Sequence, residues 1–189
     1  MPAALIPRDE VVRRLFDAFR TFGYEGATLA RLSEATGLGR ASLYHYFPEG
    51  KDGMAREVIA LAREWIKSNV NAPLVNVGEP ATSRLKTALR NVANGYDNGR
   101  AACLINIFGI GDANDVVREA LRETASLYSH GFERLLLDAG VQKSKAREIS
   151  FDTVIQIEGA LVLARALDDR SVFTKRIQKL EKQYLELIG

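Results

Sequence analysis

Apolar residues recur along most of the chain at the three- and four-residue steps of amphipathic helices, and no stretch alternates as a strand does. The first such segment, residues 8–23, carries four of these positions: Val12, Leu15, Phe16 and Phe19. Further periodic segments predict helices over residues 52–69, 81–96, 113–138, 147–169 and beyond Ser171, with a short apolar segment over 101–111. The pattern therefore predicts an all-α protein.

Single residues mark two of the predicted helix ends. Ser144 is a suitable N-cap for the helix that follows the Gly140 stop, because its hydroxyl accepts hydrogen bonds from exposed N–H groups. Pro73 is expected to end the helix that starts at Asp52, because the residue before a proline is pushed out of the α region.

Residues 27–51 contain two short helical patterns joined by a glycine turn. Thr28 is placed to cap the first, and the same position also suits a phosphate. Gly37 stands where a chain leaving a helix often needs a positive φ. The second pattern begins at about Arg40 and ends at Tyr46. Two short helices about a tight turn are the helix-turn-helix signature, whose second helix enters the major groove of DNA.

The order and spacing of motifs over about the first 65 residues resemble the DNA-binding domain of the TetR family of transcriptional regulators. The matching motifs are Phe22-Gly23-Tyr24, Thr28-Leu29, Ala35-Thr36-Gly37-Leu38, Ser42-Leu43-Tyr44, His45-Tyr46-Phe47 and Lys51. Leu32-Ser33 stands where family members usually carry Ile-Ala. The link from Phe47 to Lys51 is one residue longer than usual, which resembles the subgroup of drug- and flavonoid-responsive repressors. The resemblance implies an N-terminal three-helix DNA-binding domain and a larger helical ligand-binding and dimerisation domain.

The expected division is residues 1–51 for the helix-turn-helix domain, 52–69 for a linking helix and 70–189 for the helical body. The resemblance implies a homodimeric repressor that a ligand releases from double-stranded operator DNA. Two alternatives are a helical dimerisation or adaptor protein and a small-molecule enzyme, neither binding DNA. The sequence lacks HExxH, GxSxG, GxGxxG and P-loop spacings and any metal-ligand cluster, which argues against an enzyme, a cofactor or a metal.

Eight residues are predicted to contact DNA: Thr28, Arg40, Ala41, Ser42, Tyr44, His45, Tyr46 and Lys51. Arg40 is expected to read a guanine rather than lie along a phosphate. Tyr44 and Lys51 are expected to hold the DNA backbone. For His45, a role as a phosphate ligand and a place as a simple surface histidine are equally compatible with the sequence. For Tyr46, contact with DNA and support of the helix from behind are equally compatible with it. This set of polar residues argues against an adaptor that has lost DNA binding.

Composition is ordinary for a globular protein, and the charge is nearly balanced. The 189 residues are 47% hydrophobic and 26% charged, with a net charge of +2. Residues 1–70 carry ten Lys/Arg and nine Asp/Glu, so attraction to DNA must come from local placement of Arg31, Arg40 and Lys51. A single cysteine, an early run of charges and the lack of any apolar stretch of about 20 residues predict a cytoplasmic protein without a membrane span.

A small lipophilic ligand is the second expected partner, implied by the resemblance. Eight residues are predicted to bind it: Trp65, Tyr96, Cys103, Asn106, Phe108, Tyr128, Phe132 and Gln156. Aromatic residues at helical spacing are usually core, so about half of this set is expected to line a cavity. Glu158 or Asp152 would either counter a cationic ligand or form a surface ion pair. Cys103 is expected to be buried and inert rather than a redox sensor.

The last two predicted helices are expected to pair with their copies in a dimer. Seven residues are assigned to this interface: Gly159, Val162, Ala166, Phe173, Ile177, Leu180 and Tyr184. The last four repeat with 4-3-4 spacing, which is typical of a seam between helices. The alternative is that both helices pack into the core of their own chain, since such a seam suits either partner.

Overall fold

The computed structural model describes residues 6–109 and 115–188, and all regular structure in these ranges is helical. The all-α prediction is confirmed. The described residues form ten α-helices in this order: α1 Arg8–Gly26, α2 Leu29–Thr36, α3 Arg40–Tyr46, α4 Gly50–Ile66, α5 Ala72–Val75, α6 Ala81–Gly95, α7 Leu104–Phe108, α8 Asp115–Asp138, α9 Lys143–Ala166 and α10 Ser171–Ile188. Within the described ranges, none of these helices is long and apolar enough to cross a membrane.

The first three helices form the head of the molecule, and their boundaries follow the local sequence signals. Thr28 caps α2 by accepting a hydrogen bond from the Arg31 amide. Gly37 ends α2 with φ of 73°, a left-handed conformation that glycine adopts without steric cost. The turn then leads into α3, where Leu43 is buried.

Helix α4 leads from the head into the body, and its end differs from the prediction. A π-helical turn, Lys67–Asn71, connects α4 directly to α5. Pro73 lies in the first turn of α5, directly after the π-helical turn, and the helical run continues through it to Val75. The prediction that Pro73 stops the helical run was therefore wrong. The Ser144 cap was also wrong, since Gln142 accepts from the Lys145 amide and caps α9.

Helices α6, α8, α9 and α10 form the body around one apolar core. A second apolar cluster holds the head together. Phe108 of α7 belongs to this second cluster, where its ring packs edge-on against Phe19 at 5.2 Å and against Tyr24 at 5.6 Å between centroids. Leu121 of α8 joins the same cluster. The body therefore reaches into the core of the head, across the division expected at residue 70.

Candidate DNA-binding surface and ligand cavity

One side of α3 is buried and the others face solvent. Leu43 and the following Phe47 fill the head core, at 0% and 2% exposure. The exposed residues of the helix are those predicted to meet DNA: Arg40, Ala41, Ser42, Tyr44 and His45. The structure thus leaves a polar helical surface free for a partner.

Arg8 fixes the carboxyl end of α3 against the rest of the head. Its guanidinium donates to the Tyr46 carbonyl oxygen at 2.7 Å and to Glu57 of α4 at 2.9 Å. The Tyr46 hydroxyl donates to the Ile6 carbonyl oxygen at 2.9 Å. The structure thus favours the second of the two roles considered for Tyr46, since its half-buried side chain supports the helix from behind.

The turn between α2 and α3 is held by side chains that bond the backbone. Ser33 donates its hydroxyl to the Leu38 carbonyl oxygen. Arg14 of α1 donates to the Thr36 carbonyl oxygen at 2.9 Å and pairs with Glu10 through its Nε, also at 2.9 Å. These bonds satisfy backbone groups that the end of α2 leaves open, so α3 leaves the turn at a fixed angle.

The three cations expected to attract DNA have different surroundings. Lys51 Nζ lies 4.2 Å from the centre of the Tyr24 ring. Arg31 donates to the Gly26 carbonyl oxygen at 2.8 Å, with its guanidinium 4.6 Å from the centre of the Phe22 ring. Within the described ranges no acid pairs with Arg40. Arg40 is therefore the cation most available to a base edge or a phosphate.

A cavity of about 380 Å³ lies between α1, α4, α8 and the segment that precedes α7. Three of the eight predicted ligand residues line it: Trp65, Tyr96 and Cys103. The lining also includes four residues of α1 that the sequence did not indicate: Arg13, Phe16, Asp17 and Arg20. The periodicity of α1 marks Phe16, the apolar one of the four, only as a core residue, so no local signal reveals that this helix reaches the cavity.

Behind Cys103 lies a cluster of buried polar groups. The Tyr96 hydroxyl donates to Cys103 Sγ at 3.3 Å, and Asn106 donates to one carboxyl oxygen of Glu158 at 2.6 Å. The other carboxyl oxygen of Glu158 and the Tyr128 hydroxyl are buried without a hydrogen-bond partner. Burial raises the pKa of Glu158 to about 7. Burial, and then the nearby Glu158, raise the pKa of Cys103 well above its usual range, so its thiol stays protonated.

The other predicted ligand residues do not line this cavity. Phe108 lies in the head core, and Phe132 packs in the body core, 5.7 Å from the Tyr184 ring. Gln156 bridges Asp152 and Arg176 near the surface of α9, because its side chain points away from the core. None of these three residues is therefore in contact with the cavity. Asn106 and Tyr128 belong to the polar cluster instead of the cavity wall.

The interface prediction divides between the last two helices. Phe173, Ile177, Leu180 and Tyr184 are each at most 8% exposed and pack in the core of their own chain. Their assignment to a dimer seam was wrong, because the 4-3-4 spacing marks the face that α10 buries against the body. The remaining residues of that set are exposed on α9: Gly159, Val162 and Ala166.

Helix α9 also exposes apolar residues that the sequence analysis did not assign. They are Phe151, Ile155 and Leu163, together with Leu167 directly after the helix, between 52% and 65% exposed. With Val162, they make up five of the ten large apolar side chains that are exposed in the described part of the chain. Residues 151, 155, 159, 162 and 166 follow one another at three- and four-residue steps, so the sequence already indicated that they share one face of the helix.

Comparison with known proteins finds two matching families. Residues 15–58 match the bacterial regulatory proteins of the tetR family. Residues 81–178 match the C-terminal domain of LmrA/YxaF-like transcriptional regulators. Both halves of the chain, the helix-turn-helix head and the body with its cavity, thus resemble regulators.

Among curated proteins, the transcriptional regulator LmrA of Bacillus subtilis is 24% identical over 166 residues, which cover 83% of this chain and 85% of LmrA. The transcriptional repressor AcnR of Corynebacterium glutamicum is 37% identical over 65 residues, 33% of this chain and 35% of AcnR. A solved TetR regulator of Legionella pneumophila has the same fold, with a TM-score of 0.81, 15% identity and coverage of 97% and 99%. The regulator CifR, solved with a 26-base-pair operator, gives a TM-score of 0.72, 23% identity and coverage of 96% and 98%.

Proposed function

The chain belongs to the TetR family of bacterial regulatory proteins and is a DNA-binding transcriptional regulator, and we propose that it is a homodimeric repressor that a small lipophilic ligand releases from its operator. The observation that carries the proposal is the exposed polar face of α3 on a head whose core also holds part of the body. Operator DNA places the site of action in the cytoplasm.

In the proposed DNA complex, α3 lies in the major groove. Arg40, Ser42 and the small Ala41 are at its exposed start, where they reach base edges. Tyr44, His45 and Lys51 lie beside them, and Thr28 stands at the start of α2; all four are placed for phosphates. The phosphate contacts set the register of the helix, and Arg40 supplies the base-specific contact.

The proposed dimer forms through the outward face of α9. An apolar stripe of this kind on one helix is typical of a surface that another protein covers. Gly159 has open space around its Cα, which allows a second helix to approach closely. A helix-turn-helix head of this size binds two half-sites about one turn of DNA apart, roughly 34 Å, so a second copy is the partner that suits this face.

The proposed release couples the cavity to the head through α4 and α7. Trp65 and Ile66 at the end of α4 line the cavity, and Cys103 on its wall directly precedes α7. Phe108 at the other end of α7 packs against Phe19 of α1. A ligand that moves either helix therefore changes the separation of the two recognition helices. Coupling is reciprocal, so the ligand also binds less well to the DNA-bound protein.

Fluorescence anisotropy with DNA from upstream of the protein's own gene tests the proposal. The labelled fragment is titrated with protein in the presence of excess unlabelled DNA of random sequence. Saturable binding with a stoichiometry of two chains per half-site pair supports a dimeric regulator. Equal competition by random DNA would contradict specific operator binding, and one chain per pair of half-sites would contradict the dimer.

A further inference from the structure

We propose that the cavity binds an apolar molecule that carries a carboxylate or a similar anionic acceptor, and that Arg20 of α1 recognises this group. The inference rests on the proposed ligand-controlled function and names the chemical class of the ligand. It places the polar contact of the ligand on the DNA-binding head rather than on the body.

Arg20 is held at the cavity wall, and its guanidinium has a buried nitrogen that makes no hydrogen bond. Its Nε donates to the Ala102 carbonyl oxygen at 3.0 Å, and its guanidinium lies 5.2 Å from the centre of the Phe16 ring. Its Nη2 is buried and has no hydrogen-bond partner. A buried donor without an acceptor is unfavourable, and a guanidinium presents its nitrogens in the fixed fork that fits a carboxylate. A ligand acceptor at this position satisfies the nitrogen that the protein leaves open.

Three other polar side chains of the cavity wall do not offer the same contact. Arg13 pairs with Asp9 and Glu10 at the surface. The Thr124 hydroxyl donates to a backbone carbonyl oxygen of its own helix, at 2.7 Å. Asp17 is exposed and lies at the rim, where solvent weakens its repulsion of an anion.

The rest of the wall suits a flat apolar body. Trp65 lies against Gly95, and Phe16, Ile59 and Leu104 face the same space. A cavity of about 380 Å³ is at the lower end of the usual size for small-molecule sites. It holds a compound of about two fused rings with one polar substituent.

The position of Arg20 gives the anion a direct effect on the head. The same side chain bonds the Ala102 carbonyl oxygen, one residue before Cys103 and two before α7. An anion that attracts the guanidinium therefore acts on α1 and on the segment leading into α7 together. A neutral ligand of the same shape fills the cavity without this pull.

Three matched probes test the ligand class: naphthoate, naphthylmethanol and naphthylmethylamine, all substituted at the same ring position. Their binding to the whole protein is measured by isothermal titration calorimetry without DNA. The proposal predicts that naphthoate binds tightest. Arg20→Gln should weaken naphthoate binding by about tenfold or more, the effect of losing a charge-assisted hydrogen bond, and leave naphthylmethanol unchanged.

Arg13→Gln is the matched control, because it removes the same group from the same helix and the same cavity rim. It should change naphthoate binding by less than about twofold, since Arg13 is exposed and already paired. Unchanged naphthylmethanol affinity shows that the cavity of each variant is intact. The ranking of the three probes on the unaltered protein tests the proposal even where a variant does not fold.

The proposal is overturned if naphthoate binds no better than naphthylmethanol or if no probe binds. It is also overturned if Arg20→Gln and Arg13→Gln lower the affinity for naphthoate equally. A preference for the amine also overturns it and points to Asp17 or Glu158 instead. DNA release by naphthoate is measured separately by anisotropy. Arg20-dependent binding without release contradicts the ligand-released function alone, whereas release that does not need Arg20 contradicts only this inference.

Discussion

The buried carboxyl of Glu158 predicts an unusual dependence of stability on pH. Burial raises its pKa from the ordinary 4.5 to about 7. The folded protein thus holds this proton more tightly than the unfolded chain, so the stabilisation is present below pH 4.5 and lost as the pH rises through 7. Over this range the loss amounts to about 3 kcal/mol, at about 1.4 kcal/mol per tenfold change in proton affinity.

Glu158→Gln removes the titration and keeps the shape of the side chain. The amide oxygen still accepts from Asn106, which donates to Glu158 at 2.6 Å in the parent protein. We expect the variant and the parent to be similarly stable near pH 4.5. At pH 8 the variant should be more stable by about 3 kcal/mol, because its interior no longer holds a buried negative charge.

Urea denaturation, followed by circular dichroism at several pH values between about 4.5 and 8, measures the difference in unfolding free energy between the parent and Glu158→Gln. The protein concentration is held constant, since the stability of a dimer depends on it. Glu119→Gln is the matched control, because Glu119 is exposed and pairs with Arg122 on the surface of α8. Parallel pH profiles for the parent and Glu158→Gln would refute the reasoning, because they would show that folding does not change the pKa of Glu158.

Three further predictions concern assembly, packing and reactivity. Gly159→Arg should give a folded monomer in sedimentation, because the exposed position accepts the arginine side chain, which then prevents a second copy from packing there. Gln183→Arg, on the polar face of α10, should remain a dimer. Gly95→Ala should shift the fluorescence of Trp65, the one tryptophan, because the new Cβ would overlap the indole ring and force it to move; an unchanged spectrum would contradict the packing. Cys103 should resist iodoacetamide at neutral pH until the protein is unfolded, because its thiol is buried and protonated; rapid modification of the native protein would contradict this.

The head could be predicted from the sequence because its signals are local. Thr28 and Gly37 act within one turn of their own positions, and both do in the structure what their residue types favour. Pro73 misled because the local rule that a proline ends a helix takes no account of the π-helical turn through which α4 continues into α5. The π-helical turn before it has no signature in the sequence.

The body could be predicted only in part, because periodicity identifies an apolar face without naming its partner. The seam of α10 was assigned to a second copy, yet Phe173 and Tyr184 cover the chain's own core. The structure shows that the exposed apolar residues lie on α9, so we expect the interface there. The role of Arg20 depends on Ala102, a contact across 82 residues that no local pattern encodes.

Operator binding by Arg40→Ala tests the central claim most directly. Anisotropy is measured for the parent, for this variant and for Arg122→Ala, which removes an exposed arginine from α8. The account predicts that Arg40→Ala weakens specific binding by about 1–3 kcal/mol and relaxes the preference at one base pair per half-site, with Arg122→Ala unchanged. Equal affinity and equal sequence preference for the parent and Arg40→Ala would contradict recognition of DNA by α3.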